Sequence, residues 1–121
     1  MSEVTIHIGY DAKAVKARVL GAIHRAESGE PVGESHLTVE SWEGLSRVLT
    51  GKRLALPRHL HGQPAASVAE LARLLGRDYK RVHEDVEIMT NAGLIERSES
   101  GGVRAACDEI RASIRLGRSA A

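Results

Sequence analysis

The stretch from Ser67 to Leu94, SVAELARLLGRDYKRVHEDVEIMTNAGL, constrains this chain more than any other. Ser67 precedes an apolar-periodic run and Glu70 follows three residues later, the spacing of a capping box that opens a helix. Val68, Leu71, Ala72 and Leu75 then share one helical face. Gly76 stops that helix, because glycine enters a left-handed turn without steric cost. Asp78 is placed to cap a second helix, on which Val82, Val86 and Met89 are spaced by four and three and face back to the first. Gly93 ends the second helix and Leu94 seals its end.

Two short helices crossing at a small residue, Ala72, and joined through Gly76 form a helix-turn-helix. The second helix carries Tyr79, Lys80, Arg81 and Glu84 away from its apolar face, and with Arg77 just ahead of its cap they make a set suited to phosphates and base edges in a major groove. The run after Gly93 reads as a wing. Leu94 to Arg97 is strand-like, Ser98 to Gly102 is turn chemistry, and Val103 to Ala105 is the return strand. Arg97 and Arg104 flank its tip, within reach of the DNA backbone. A plain helical hairpin in a core would share the helix pattern but not the basic helix start or the wing.

On these residues the chain resembles the MarR-like winged helix-turn-helix regulators. Leu71-Ala72, Gly76, Val82, Val86, Met89 and Gly93-Leu94 fall in their register. RLLGRDYKRVHEDV followed by AGLIER is similar to a family of small transcriptional regulators of archaea and bacteria, over about Leu37 to Leu116. The resemblance implies a DNA-binding regulator acting as a dimer. The chain departs from the pattern at Arg77 and Asp85, positions usually apolar, and at Pro57. An Arg81–Asp85 pair along the helix is the expected use of that carboxylate.

Charge distribution supports the same assignment. The net charge is only +1, but residues 47–83 hold eight basic and two acidic side chains, and both flanks are net acidic. A basic middle suits a face for double-stranded DNA. The chain has no Phe, one Trp and two Tyr in 121 residues, so the core is built of Leu, Val, Ile and Ala. Such a lean core on a short chain favours a homodimer. The single cysteine, Cys107, excludes an intrachain disulfide and fits a reducing cytoplasm. No apolar run approaches a membrane span, and no signal-peptide pattern opens the sequence.

Elsewhere, Val4 to Ile8 alternates as a strand. Asp11 caps a helix with Val15, Val19, Ala22, Ile23 and Ala26 on one stripe, and Glu30 to His36 reads as a loop. Thr38 opens a helix whose apolar face is Val39, Trp42, Leu45, Val48 and Leu49, with Trp42 as core anchor. Lys52 to His61 forms the next helix, in which Pro57 predicts a kink or early stop. Ile110 to Leu116 alternates as a strand, with a helix as the rival, and the tail from Gly117 frays. The expected fold is mainly α with a small β-wing: an N-terminal strand-helix arm over 1–36 and a winged helix-turn-helix DNA-binding domain over 37–121.

Other chemistries fit less well. His59, His61, His83 and Cys107 are metal-ligand types, but their spacing matches no closed zinc pattern, so no metal or cofactor is expected. His59 and His61 read as surface or DNA-facing. Cys107 reads as a small half-buried residue. No nucleophile–base pair, phosphate-cradling loop or carboxylate dyad stands out, so no enzymatic activity is expected. The function expected is sequence-specific DNA binding by a dimeric repressor. The alternatives are an antitoxin-like protein that binds a partner toxin and autoregulates its operon, and a metal-responsive regulator.

Overall fold

The structure is a computed structural model that describes residues 2–9 and 34–116. In chain order its elements are β1 (Glu3–Ile8), β2 (Glu34–Val39), α1 (Trp42–Val48), α2 (Gly51–Gly62), α3 (Val68–Leu75), α4 (Tyr79–Asn91), β3 (Ile95–Arg97), β4 (Val103–Ala105) and β5 (Glu109–Ile114). The helix expected after Asp11, the Glu30–Gly33 part of the expected loop and the tail from Gly117 lie outside the described residues.

Alternation fixes β1: Val4, Ile6 and Ile8 are buried while Glu3, Thr5 and His7 face the other side. β1 is the centre of a three-stranded sheet ordered β2-β1-β5, and both neighbours run parallel to it. Its register sets Ile6 beside Leu37 and Ala112, and Ile8 beside Val39 and Ile114. One face is therefore apolar on all three strands. Ile6, Ile8 and Leu45 form one cluster on that face, joined by Leu37, Val39, Leu49 and Ile110. On the opposite face the His7 and His36 rings stack at 5.0 Å, and Nε2 of His7 lies 2.8 Å from Nδ1 of His36.

This sheet corrects the expected mainly α fold with its strand-helix arm. The described residues are 44% helix and 27% strand, in four helices, a parallel three-stranded sheet and a separate antiparallel pair. The segment that misleads is Glu34 to Val39. Val39, Trp42 and Leu45 recur at helical spacing, which places a helix start at Thr38. Leu37 and Val39 instead alternate with His36 and Thr38 beside β1. The helix starts only at Trp42, capped by Ser41, whose hydroxyl accepts from the Gly44 amide at 3.1 Å. β2 crosses the expected boundary at residue 36, and β5 brings residues 109–114 back onto β1. Ile110 to Ile114 is thus strand, as its alternation indicates, and Trp42 is no core anchor, being 53% exposed.

The helical half follows its capping signals closely. Thr50 caps α2, and the helix runs to Gly62 without stopping at Pro57, which is buried between the fully buried Leu56 and Leu60. Ser67 caps α3 by accepting from the Glu70 amide at 3.0 Å, while the Glu70 carboxylate reaches back to the Ala66 amide at 2.9 Å. Gly76 ends α3 at φ +64°, with the Arg77 amide bonding back to Ala72 O. Gly93 ends α4 at φ +81°, with the Leu94 amide bonding to Met89 O, the same six-residue closure. Leu71, Ala72, Val82, Val86 and Met89 meet in the main core with Leu56, Leu60, Leu94, Ile95 and Val103. Val4 joins that same core, so the sheet and the helices share one interior.

Leu71 is fully buried at the α3–α4 crossing. Leu71→Ala is expected to lower unfolding free energy by about 2–5 kcal/mol, the range for a leucine deleted from a packed core. Urea denaturation checks this, and a loss under about 0.5 kcal/mol would contradict the packing described.

Candidate nucleic-acid interface

α3, the Gly76 turn and α4 form the helix-turn-helix, and β3 and β4 form the hairpin after it, Ile95 pairing with Ala105 and Arg97 with Val103. The Ser98 hydroxyl accepts from the Gly102 amide at 2.9 Å and closes the hairpin tip. A side chain at Gly102 would push on this bond, since a Cβ there would lie 2.9 Å from Ser98 Oγ. The segment ahead of α3 anchors the hairpin from the side. Ala65 and Val103 exchange two backbone hydrogen bonds, of 3.0 and 2.8 Å. The entry to α3 and the return strand are thus fixed to each other.

The start of α4 faces the α1–α2 junction across an open cleft of about 700 Å³. Lys80, Arg81 and Glu84 line it from α4, with Asp78 at the helix cap. Arg47, Thr50, Lys52 and Arg53 line it from the opposite side. Asp78 caps α4 by accepting from the Arg81 amide at 3.2 Å, which fixes Lys80 and Arg81 in the first turn. Both side chains are exposed. Tyr79 is 53% exposed and tilts against the His83 ring at 5.8 Å.

Beneath the cleft lies a charge cluster that the sequence reading paired differently. Asp85 accepts from Arg53 Nε at 2.9 Å and from Arg77 at 2.7 Å, not from Arg81. Arg53 also donates to the carbonyls of Arg47 and Val48, and Arg77 to the carbonyl of Lys52. Both arginines are thereby held, and Arg77 acts as a brace between α2 and α4. Arg81 remains on the cleft wall. Burial raises the Asp85 pKa, but the hydrogen bonds and charges of Arg53 and Arg77 outweigh it and hold the carboxyl below the usual carboxylate range.

The hairpin places Arg97 and Arg104 on its exposed surface. Arg104 pairs across the strands with Glu96 at 2.6 Å. The tip arginines and the α4 set thus belong to one rigid unit through β4, Ala65 and α3. The histidines lie elsewhere. His61 Nε2 sits 2.8 Å from Asp108 Oδ1, whose other oxygen accepts from the Ser2 amide, so His61 braces the sheet end, away from the cleft at the start of α4. His59 is half-buried with its Nε2 wholly buried, which corrects its reading as a surface residue. His59, His61, His83 and Cys107 are not brought together, and among the described residues no three metal-ligating side chains converge. Cys107 is a free, half-buried thiol whose pKa is pushed up by burial.

Sequence reasoning missed Arg47, Lys52 and Arg53 as parts of the site. Their signal lay in the basic excess of residues 47–83, and only the packing of α2 on α4 brings them opposite Lys80 and Arg81.

A helix-turn-helix with an adjoining hairpin and a basic cleft at the start of its second helix defines the class of this protein. The chain belongs to the HVO_A0114 family, whose model matches residues 48–112, from the end of α1 through most of β5. No curated protein and no solved structure matches the chain. Among the described residues, no helix is long and apolar enough to cross a membrane.

The depressed Asp85 pKa makes its contribution to stability pH-dependent. It is fully present above the unfolded-state value near 3.8 and is lost as pH falls through the lower folded-state value. Asp85→Asn is expected to cost roughly 3 kcal/mol at pH 7, the low end for breaking a buried pair, because both arginines keep about a fifth of their exposure. Chemical denaturation at pH 7 and at pH 3 should show the gap between wild type and variant narrowing at low pH. A gap of constant size would show that the carboxylate charge is not what holds the brace.

Proposed function

We propose that this chain binds double-stranded DNA in the cytoplasm as a dimeric, MarR-like transcriptional regulator, acting as a repressor by occupying a promoter. The observation that carries the reading is the α4 start: Lys80 and Arg81 stand exposed in the first turn, beside Arg47 and Lys52, on a helix fixed by Asp78 and by the Asp85 brace. In this reading α4 enters the major groove by its N-terminal turn. Lys80, Arg81 and Glu84 meet base edges and phosphates there, with Tyr79 beside them. Arg47 and Lys52 meet the flanking phosphates, and Arg97 and Arg104 extend the contact along the backbone. Arg77 serves by position, since its guanidinium is already engaged by Asp85 and the Lys52 carbonyl.

Two measurements test this. Affinity for DNA from the chain's own upstream region should fall steeply with salt, as neutralised phosphates release counterions. A salt-independent affinity would rule out the phosphate-facing cleft. Lys80→Ala combined with Arg81→Ala should weaken binding and make the plot of log affinity against log salt shallower by about 0.9 for each phosphate contact removed. Neither residue lies on the buried Val82-Val86-Met89 face, so circular dichroism should be unchanged. An intact fold with wild-type affinity would remove α4 as the reader.

A further inference from the structure

We infer that the free edge of β5 is the seam of a homodimer, joining two copies of the β2-β1-β5 sheet into one continuous six-stranded sheet. The inference rests on the dimeric part of the function proposed above and not on DNA binding. β5 bonds to β1 along one edge, and among the described residues no strand covers its other edge. Arg111, Ala112, Ser113 and Ile114 are all exposed, Ile114 at 52% and Leu116 at 98%. An uncovered edge strand with apolar side chains on one face invites a further strand.

The sequence of β5 is self-complementary in one register. About a two-fold axis perpendicular to the sheet, antiparallel strands face each other residue by residue on the same side. An axis through Ala112 sets Ile110 opposite Ile114 of the partner subunit and Ala112 opposite Ala112 of the partner subunit, all on the apolar face. On the other face it sets Glu109 opposite Arg115 of the partner subunit, and Arg111 opposite Ser113 of the partner subunit. Within β5 each apolar residue meets an apolar one, and the charges that meet directly are opposite. An axis through Arg111 or Ser113 would instead set arginine against arginine. An axis through Ile110 would pair only Glu109 to Arg111 within the strand, and one through Ile114 would leave Ile110 uncovered. On β2, the other edge, axes through His36 or Leu37 set Leu37 or Val39 against Ser35, and the axis that matches Leu37 with Val39, through Thr38, lies one residue from the strand end and pairs only Leu37 to Val39 within the strand.

The same register gives the apolar cleft of the molecule an occupant. This cleft, about 640 Å³, runs between β5 and the helices, with Trp42, Leu45, Leu54 and Pro57 on the helix side and Ile110 and Ala112 on the sheet side. Ile114 of the partner subunit and Leu116 of the partner subunit fall on the same face, opposite Ile110 and Asp108, along the mouth of the cleft. Residues exposed in one copy thereby cover those exposed in the other, as an isologous contact requires.

The test combines light scattering of the full chain with cysteine crosslinking in a Cys107→Ser background. Wild type should have a dimer mass at concentrations well above those of the DNA assay. Ala112→Cys should form an interchain disulfide on mild oxidation, since facing residues in an antiparallel pair lie about 4.5–5.5 Å apart at Cα, inside the disulfide range. Ser113→Cys should not, its two copies lying roughly 7–8 Å apart on the diagonal. Ile114→Lys should shift the mass to monomer with unchanged circular dichroism. A monomeric wild type overturns the dimer altogether. A dimeric wild type in which Ala112→Cys fails to crosslink overturns this seam alone, and equal crosslinking at Ser113 overturns the register. DNA binding by a monomer would leave the DNA reading standing while this inference fails.

Discussion

The geometry of the candidate site depends on one carboxylate. Asp85 projects from α4 into the space between α2 and the turn, where it receives a guanidinium from each side. A buried carboxylate with a single partner would cost more in desolvation than it returns, and two charged donors reverse that balance. Arg53 carries the tie on to the carbonyls at the end of α1, and Arg77 carries it to the start of α2. Three helices and a turn are thereby referred to one point, and the exposed cations of α4 stand in front of it. Apolar packing alone would hold α4 against α3. It would not fix the rotation that presents Lys80 and Arg81 to the cleft.

What the sequence disclosed and what it hid divide along physical lines. Helix ends written in local chemistry were legible: Ser67 with Glu70, Gly76, Asp78 and Gly93 all act where their spacing places them. So was the hairpin, because Ser98 to Gly102 is strong turn chemistry between two short apolar runs. Of the sheet, β1 and β5 were legible from their alternation, but β2 and the parallel pairing were hidden because the strands are far apart in the chain and a parallel pairing leaves no turn signal between partners. Val39 adds a coincidence, being apolar at helical distance from Trp42 and Leu45 while belonging to a strand. Pro57 misled for the opposite reason. Its local cost is real, but the burial of Leu56 and Leu60 on either side outweighs it.

The site was legible in part. Residue types on α4 followed from the apolar stripe, since whatever is not Val82, Val86 or Met89 must face outward or toward α2. Asp85 is the exception, and it deceived because two rules of equal standing applied to it. Spacing along the helix offered Arg81, while tertiary packing offered Arg53 and Arg77, and the packed pair won because it satisfies a buried charge. Arg53 is thirty-two residues from Asp85 in sequence, beyond any local rule.

The central position of β1 bears on how the chain reaches this structure. Its partners on one side lie at the far end of the described chain: Ser2 and Asp108, which exchange hydrogen bonds beside the first sheet pair, are 106 residues apart. The helix-turn-helix and hairpin can assemble from neighbours, at helix and hairpin speeds, whereas the pairing of β5 with β1 must close a very long loop. One edge of β1 therefore waits on a contact between the two ends of the described chain. On a ribosome β1 emerges ahead of both its partners, so the strand at the middle of the finished sheet keeps one edge open to other chains until β5 has been made.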